Sequence, residues 1–454
     1  MTPYRSPRLL RALLAIATTL WLFAACDDGD ATQAATDTST TLEDTSATLE
    51  DTSATLEDTS ATLEDTSATL EDTSDTQDDA ADTSTARPQI DQPPAPPWNI
   101  TERGPYNVGY TRLYVSYVPK GRTEPRRIRI AMWYPTRDAT GSSSKYFNLF
   151  QRAEAFSEAS LPDDPWLAQM PLLVFSHGNA SLAEQSYFMT EFFASHGWIV
   201  ASPDHTENTF ADTGGAINVA SAPLRPQDIS HVIDQMLTLL PDGHRLKGRS
   251  DPDLIAMSGH SFGAITTTMV GGASFDLDVL LARCEDGSLS GRYCELLEDT
   301  TQYDAYRDGF LDDRVKVIIP MTAGAATVFQ EGFGDIPMPT LLFTGEMDHS
   351  LENAEEGDPI WGWLNNVEDA RVNFFTAGHF TFSNMCDLLG SIEMVFNDGC
   401  DTSIFINPAD AYGVINHYSM AFIRLHMFNE QQYLPLFDGT EAPYSDILEV
   451  ENKR

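Results

Sequence analysis

Positive charge is scarce in this chain. Its 27 lysines and arginines stand against 68 aspartates and glutamates, for a formal net charge of -41. A surface of that sign repels a phosphate backbone, which excludes nucleic acid as a partner. Between residues 27 and 86 the scarcity is complete, with 18 acids and no lysine or arginine. Cysteine is also sparse, 5 in 454 residues, and no Cys-x2-Cys pair supplies the spacing of a zinc site. Long apolar runs are missing as well: Ala12 to Ala25 is nearly all apolar but falls short of the roughly 20 residues of a membrane span.

What that short run has is the layout of an export signal. Arg5, Arg8 and Arg11 precede it, and the small residues Ala24 and Ala25 lead into Cys26. The pattern Leu22-Phe-Ala-Ala-Cys26 resembles a bacterial lipoprotein signal, which implies a signal peptide over residues 1–25, a lipid on Cys26 and a membrane anchor through that lipid. Phe23 stands where such signals usually have leucine, so a plain secretory signal is the alternative. Either way the mature protein is expected outside the cytoplasm: in a bacterial cell envelope, facing the periplasm or on the surface, or secreted. There, Cys284, Cys294, Cys386 and Cys400 can form disulfides in three connectivities, of which nearest-neighbour pairing is expected.

Residues 26–97 have no core to build. The unit Thr-Leu-Glu-Asp-Thr-Ser-Ala starts at Thr41, Thr48, Thr55 and Thr62, and at Thr69 with a final Asp75. A period of seven invites a coiled coil, yet each unit holds one large apolar residue and its partner position is polar. An acidic, self-repelling tether is expected, long enough to hold a domain on the order of 45 Å from an anchor.

Folding is expected over 98–454. Tyr106 to Val118 and Arg126 to Tyr134 alternate apolar and polar residues around Pro119-Lys-Gly-Arg-Thr-Glu-Pro125, the pattern of an antiparallel strand pair. Pro135 to Met170 reads as a loop with one short helix. Beyond it, buried strands at Leu172 to Phe175, Trp198 to Ser202, Leu254 to Met257, Val315 to Ile319, Thr340 to Phe343 and Arg371 to Phe375 alternate with helices at Leu182 to His196, Pro226 to Leu240 and Ala411 to Phe428. That alternation predicts an α/β fold: a mostly parallel twisted sheet with helices on both faces, preceded by the antiparallel pair. Residues 273–313 interrupt it as an insertion that could serve as a lid.

The third of those strands runs into Gly259-His260-Ser261-Phe262-Gly263, and a helix follows. A Gly-x-Ser-x-Gly turn between a strand and a helix lifts its serine onto a tight bend, with glycines letting the two elements pass closely. A serine hydroxyl needs a base, and the base needs an orienting acid. His379 follows the last parallel strand and Asp348 the one before it, so both belong to the sheet edge that carries Ser261. Glu346 and His349 are the nearest rivals for acid and base. The backbone N–H groups of Phe262 and of Asn179, in Ser176-His-Gly-Asn179, are the expected oxyanion donors. His177 is expected to brace that loop, and His205 is a candidate for lining the pocket. No second histidine lies at ligand spacing from His205, so no metal is expected there, and acyl transfer through these residues needs no cofactor.

The order Ser176-His-Gly-Asn179, Pro203-Asp-His205, Arg225-Pro-Gln-Asp228, Gly-His-Ser-Phe-Gly263, Gly345-Glu-Met-Asp348 and Gly378-His-Phe380 resembles the α/β-hydrolase superfamily. More narrowly it is similar to the bacterial branch related to dienelactone hydrolases and platelet-activating-factor acetylhydrolases, over about Tyr106 to Phe428. In the animal acetylhydrolases the acid follows the strand after the elbow; here that strand leads to Pro320-Met-Thr322, which holds none. The resemblance implies a serine hydrolase acting on short-chain or lipid carboxylic esters; the N-terminus places it outside the cytoplasm, and a monomer is expected. A cutinase-like polyester hydrolase and a catalytically silent surface binding module on the same fold are the alternatives.

Overall fold

The computed structural model describes residues 93–454. The export segment, Cys26 with its expected lipid, the seven-residue repeats and most of the 26–97 tether lie outside the described residues. Among the described residues, no helix is long and apolar enough to cross a membrane.

The first two strands, β1 (Asn107–Tyr117) and β2 (Arg126–Thr136), pair antiparallel with Asn107 opposite Thr136 and Tyr117 opposite Arg126. The next segment departs from the loop expected there. It forms a hairpin of β3 (Ser143–Tyr146) and β4 (Phe150–Ser157), and its only helical part is a three-residue turn at Pro165–Leu167. The hairpin lies at the sheet edge, where β4 runs parallel to β1. Its polar residues are held by tertiary partners: Arg152 pairs with Glu191, and the Tyr146 hydroxyl accepts from Trp133 Nε1 at 2.6 Å.

Six parallel strands follow: β5 (Met170–Ser176), β6 (Ile199–Asp204), β7 (Ser250–His260), β8 (Val315–Met321), β9 (Leu341–Gly345) and β10 (Ala370–Phe374). A last strand, β11 (Leu448–Asn452), pairs antiparallel with β10 beyond the edge where the sheet was expected to close. The eleven strands lie in the order β11-β10-β9-β8-β7-β5-β6-β2-β1-β4-β3.

Two apolar layers sandwich this sheet, and the two-residue period of a strand explains how. Leu172 and Val174 of β5 join one layer, Leu173 and Phe175 the other, and all four have 0 % exposure. Each such side chain contributes about 1.5–3 kcal/mol by leaving water. The first layer is closed by α2 (Leu224–Asp234) and α3 (Phe262–Val270), the second by α1 (Tyr187–Ser195) and α5 (Pro408–Met427). Helix α5 starts where Asn407 Oδ1 accepts the Ala409 N–H, with Pro408 in the first turn, where its missing donor costs nothing.

The insertion after α3 is not a detached flap. Its helix α4 (Leu277–Glu285) is capped by Asp276, and Leu277, Leu280, Leu289, Leu297 and Tyr306 all belong to the first apolar layer. The four cysteines pair as Cys284–Cys294, inside the insertion, and Cys386–Cys400, after β10.

β5 sits between β6 and β7, so the chain leaves β5 toward one side of the sheet and returns on the other. At such a switch point the loops at the carboxyl ends diverge and leave a crevice. The loops after β5 and β7 flank it, with Ser176 opposite Gly259 in register.

Candidate active site

Ser261 caps α3 with φ 58° and ψ -123°, a left-handed backbone that L-residues adopt only under constraint. The constraint is visible. Its N–H donates to Met321 O at 3.0 Å, and its carbonyl accepts from Ala264 and Ile265 at 2.8 and 3.1 Å. The flanking glycines are there because nothing larger fits. A Cβ on Gly259 would lie 2.3 Å from Gly263 O, and one on Gly263 would lie 1.9 Å from Ser176 O. As the first residue of α3, Phe262 has an N–H with no intrahelical acceptor.

Asp348 and His379, brought in by the loops after β9 and β10, meet directly: His379 Nδ1 donates to Asp348 Oδ2 at 2.8 Å. Asp348 Oδ1 accepts from the N–H groups of Ser350 and Leu351 at 2.9 and 2.7 Å, which fixes the carboxylate plane. Nε2 is then the nitrogen of His379 left for a nucleophile. Burial pulls the His379 pKa down, but the charge and hydrogen bond of Asp348 and the charge of Asp398 outweigh it and raise it above 6.5. The rivals lie elsewhere. Glu346 accepts from Asn353 and Asn373, and the His349 ring packs on Phe405, 6.3 Å between centroids.

His260, the residue before the serine, touches His379. Its ring lies 4.7 Å from that of His379, and its Nε2 donates to the His379 carbonyl at 2.9 Å. Its Nδ1 accepts from Gln185 Nε2 at 2.6 Å, while Gln185 Oε1 accepts the Gly178 N–H, also at 2.6 Å. Burial, with the neighbouring His379, pushes the His260 pKa well below 6.5, so this ring is neutral.

With the Gly178 N–H engaged, Asn179 is the next donor on the loop after β5. Its side chain is tied down at both ends, Nδ2 donating to Ala216 O and Oδ1 accepting from Asn208 Nδ2 and the Asn218 N–H. His177 braces the same loop, Nδ1 on Gly178 O and Nε2 accepting the His205 N–H.

His205 departs from the expectation that it lines a pocket. Its exposure is 0 %; Nδ1 donates to Asp228 and Nε2 accepts from Ser176 Oγ, both at 2.9 Å. Burial and the nearby Arg225 lower its pKa to about 3, so it is a neutral internal brace. Arg225, also fully buried, binds Thr266, Asn208, Ser176 and His177 O, and its guanidinium lies 4.5 Å over the Phe262 ring. Arg225 and Asp228 stand in a quoted motif, but their roles were not legible. Gln185 and Asp398 carry no local signal at all. Among the described residues, no three His, Cys, Asp or Glu side chains are placed to hold a metal ion.

Comparison with known proteins gives no family model and no curated protein that matches this chain. Among solved structures it is similar to a ferulic acid esterase from Streptomyces cinnamoneus. The TM-score is 0.52 at 19% identity, over 77% of this chain and 97% of that one. At that identity the likeness shows the fold, which is the α/β-hydrolase fold.

Proposed function

We propose that this protein is a serine hydrolase of carboxylic esters, with Ser261 as nucleophile, His379 as base, Asp348 as its orienting acid and the Phe262 and Asn179 amides as oxyanion donors. The observation that carries the reading is the buried Asp348–His379 hydrogen bond on the sheet edge where Ser261 holds a left-handed backbone at a helix start. An esterase among the solved structures of this fold is in keeping with it. The narrower likeness to dienelactone hydrolases and acetylhydrolases rests on the sequence motifs alone.

His379 Nε2 takes the Ser261 hydroxyl proton as Oγ bonds to the ester carbonyl carbon, and the oxyanion formed accepts from the two amides. The imidazolium returns that proton to the alcohol oxygen as the C–O bond breaks. Water then attacks the acyl carbon as Nε2 takes one of its protons, and Nε2 returns that proton to Ser261 Oγ as the acyl–Oγ bond breaks and the acid leaves. Every group needed is a side chain or a main-chain amide, so the chemistry calls on no cofactor.

A fluorophosphonate probe is expected to label the wild-type protein and to leave Ser261→Ala unlabelled, with p-nitrophenyl ester turnover lost in parallel. A wild type that neither labels nor turns over esters is the silent binding module instead. Run on esters graded in acyl length, and on a polyester film, the same pair of proteins separates short-chain, lipid and polymer substrates.

The base must be neutral to accept a proton, and its pKa is raised above 6.5. The acid limb of kcat/KM is therefore expected to have its midpoint above 6.5, with activity rising as pH rises through it. A rate flat between pH 5 and 8 would contradict His379 as the base. The export-like N-terminus and the two disulfides support a location outside the cytoplasm, with Cys26 as the proposed lipid anchor.

A further inference from the structure

The acid and base loops share a partner that the triad does not include. Asp398, 5 % exposed, puts one carboxylate oxygen, Oδ1, on two backbone N–H groups: His379 at 2.9 Å and His349 at 3.0 Å. Its other oxygen accepts from Ser350 Oγ at 2.7 Å. One carboxylate thus holds the base by its own amide and the acid loop at the two residues after Asp348. We propose that Asp398 is a positioning residue for the hydrolysis described above, locking the loop that carries His379 to the loop that carries Asp348. The proposal rests on that reading of the site.

Three features show that the arrangement is built in. The backbones interlock, since a Cβ on Gly378 would lie 2.6 Å from the Asp398 carbonyl carbon and one on Gly399 would lie 2.7 Å from the Thr381 N. Gly399 holds φ 130°, a conformation that favours glycine. The Cys386–Cys400 disulfide then ties this segment to the helical turn just after the base.

The groups facing His379 are Asp348 through Nδ1, Asp398 through the main-chain amide, and the neutral His260 ring packed beside it. Asp398 therefore acts in two separable ways. Its oxygen fixes geometry, and its charge adds to that of Asp348 in favouring the imidazolium, a direction already present in the raised pKa of His379.

Asp398→Asn separates the two. The amide oxygen still accepts from both N–H groups, its NH2 can donate to Ser350 Oγ, and the charge is gone. The acid-limb midpoint of kcat/KM is expected to move to lower pH, with kcat at the plateau within about tenfold of wild type. Asp398→Ala removes both contributions, and its kcat is expected to fall about 10²-fold with KM changed far less, as for a misplaced base. An unshifted pH profile in Asp398→Asn, or a kcat within twofold of wild type in a folded Asp398→Ala, overturns the proposal. Should the alanine variant fail to fold, the asparagine profile decides alone. Ser261→Ala runs beside them: if it keeps wild-type turnover, the reading of the site fails first and takes this role with it.

Discussion

Ser261→Ala and His379→Ala are each expected to lower kcat by about 10⁵ to 10⁶-fold, and the double variant to fall no further. The reason is that neither residue acts without the other. An alkoxide does not form at neutral pH unless a base takes the proton as the bond to carbon forms, and a base with no hydroxyl beside it has nothing to activate. Free energies of residues that work as a unit do not add, so the losses coincide instead of multiplying. Asp348→Asn is the milder member of the set at about 10⁴-fold, because the amide can present a donor to Nδ1 and trap the wrong tautomer. Single-turnover measurements on an activated ester, which isolate acylation from product release, are the check. A double variant slower than wild type by the product of the two single effects would mean that the two residues act independently.

Gly263→Ala is expected to cost stability at the upper end of the about 1–3 kcal/mol range for overpacking, and to remove most of the activity. The added methyl would sit 1.9 Å from Ser176 O and 2.8 Å from His177 O, both main-chain atoms that no rotamer change can move aside. The end of β5 and the first turn of α3 must separate to admit it. Those two pieces of backbone lead into the Asn179 and Phe262 amides, so the proposed oxyanion site widens with them. Gly413→Ala is the matched control. It lies on α5 with open space around it, and alanine there is expected to stabilise the helix by up to about 1 kcal/mol. Denaturation midpoints and rates of fluorophosphonate labelling test both, and a Gly263→Ala protein indistinguishable from wild type would show the contact to be slack.

What the sequence made legible was the part of the fold whose signal is local. Leu172 to Phe175 of β5 and Val317 to Ile319 of β8 are unbroken apolar runs because both faces are buried there, and the elbow announces itself by its two glycines. Asp348 and His379 could be placed by strand order alone, since the ends of parallel strands share one edge. β4 and β11 were hidden for a physical reason. Phe150-Gln-Arg-Ala-Glu-Ala-Phe-Ser157 is half polar because it lies near the sheet edge, and Leu448-Glu-Val-Glu-Asn452 has only two apolar residues and pairs with a strand far back in the chain. Asp398 was hidden because two of the three groups it binds are main chain. A carboxylate that accepts backbone N–H groups leaves no pattern until the loops are folded. His205 misled because the carboxyl edge of a sheet is wider than the crevice in it: the residue after β6 has 0 % exposure and is taken up by Ser176 and Asp228.

Gln185 has a consequence that outlasts any single contact. Through the Gly178 amide it grips the loop after β5, through His260 the residue before Ser261, and His260 in turn grips the carbonyl of His379 after β10. Three loops from separate strands are thereby fastened into one rigid body before any substrate arrives. Preorganisation of this kind spares the reaction the reorganisation that water would have to undergo around a developing oxyanion. On the proposed mechanism, less of the substrate's binding energy is then needed to assemble the machinery, and more of it is free to select among acyl groups.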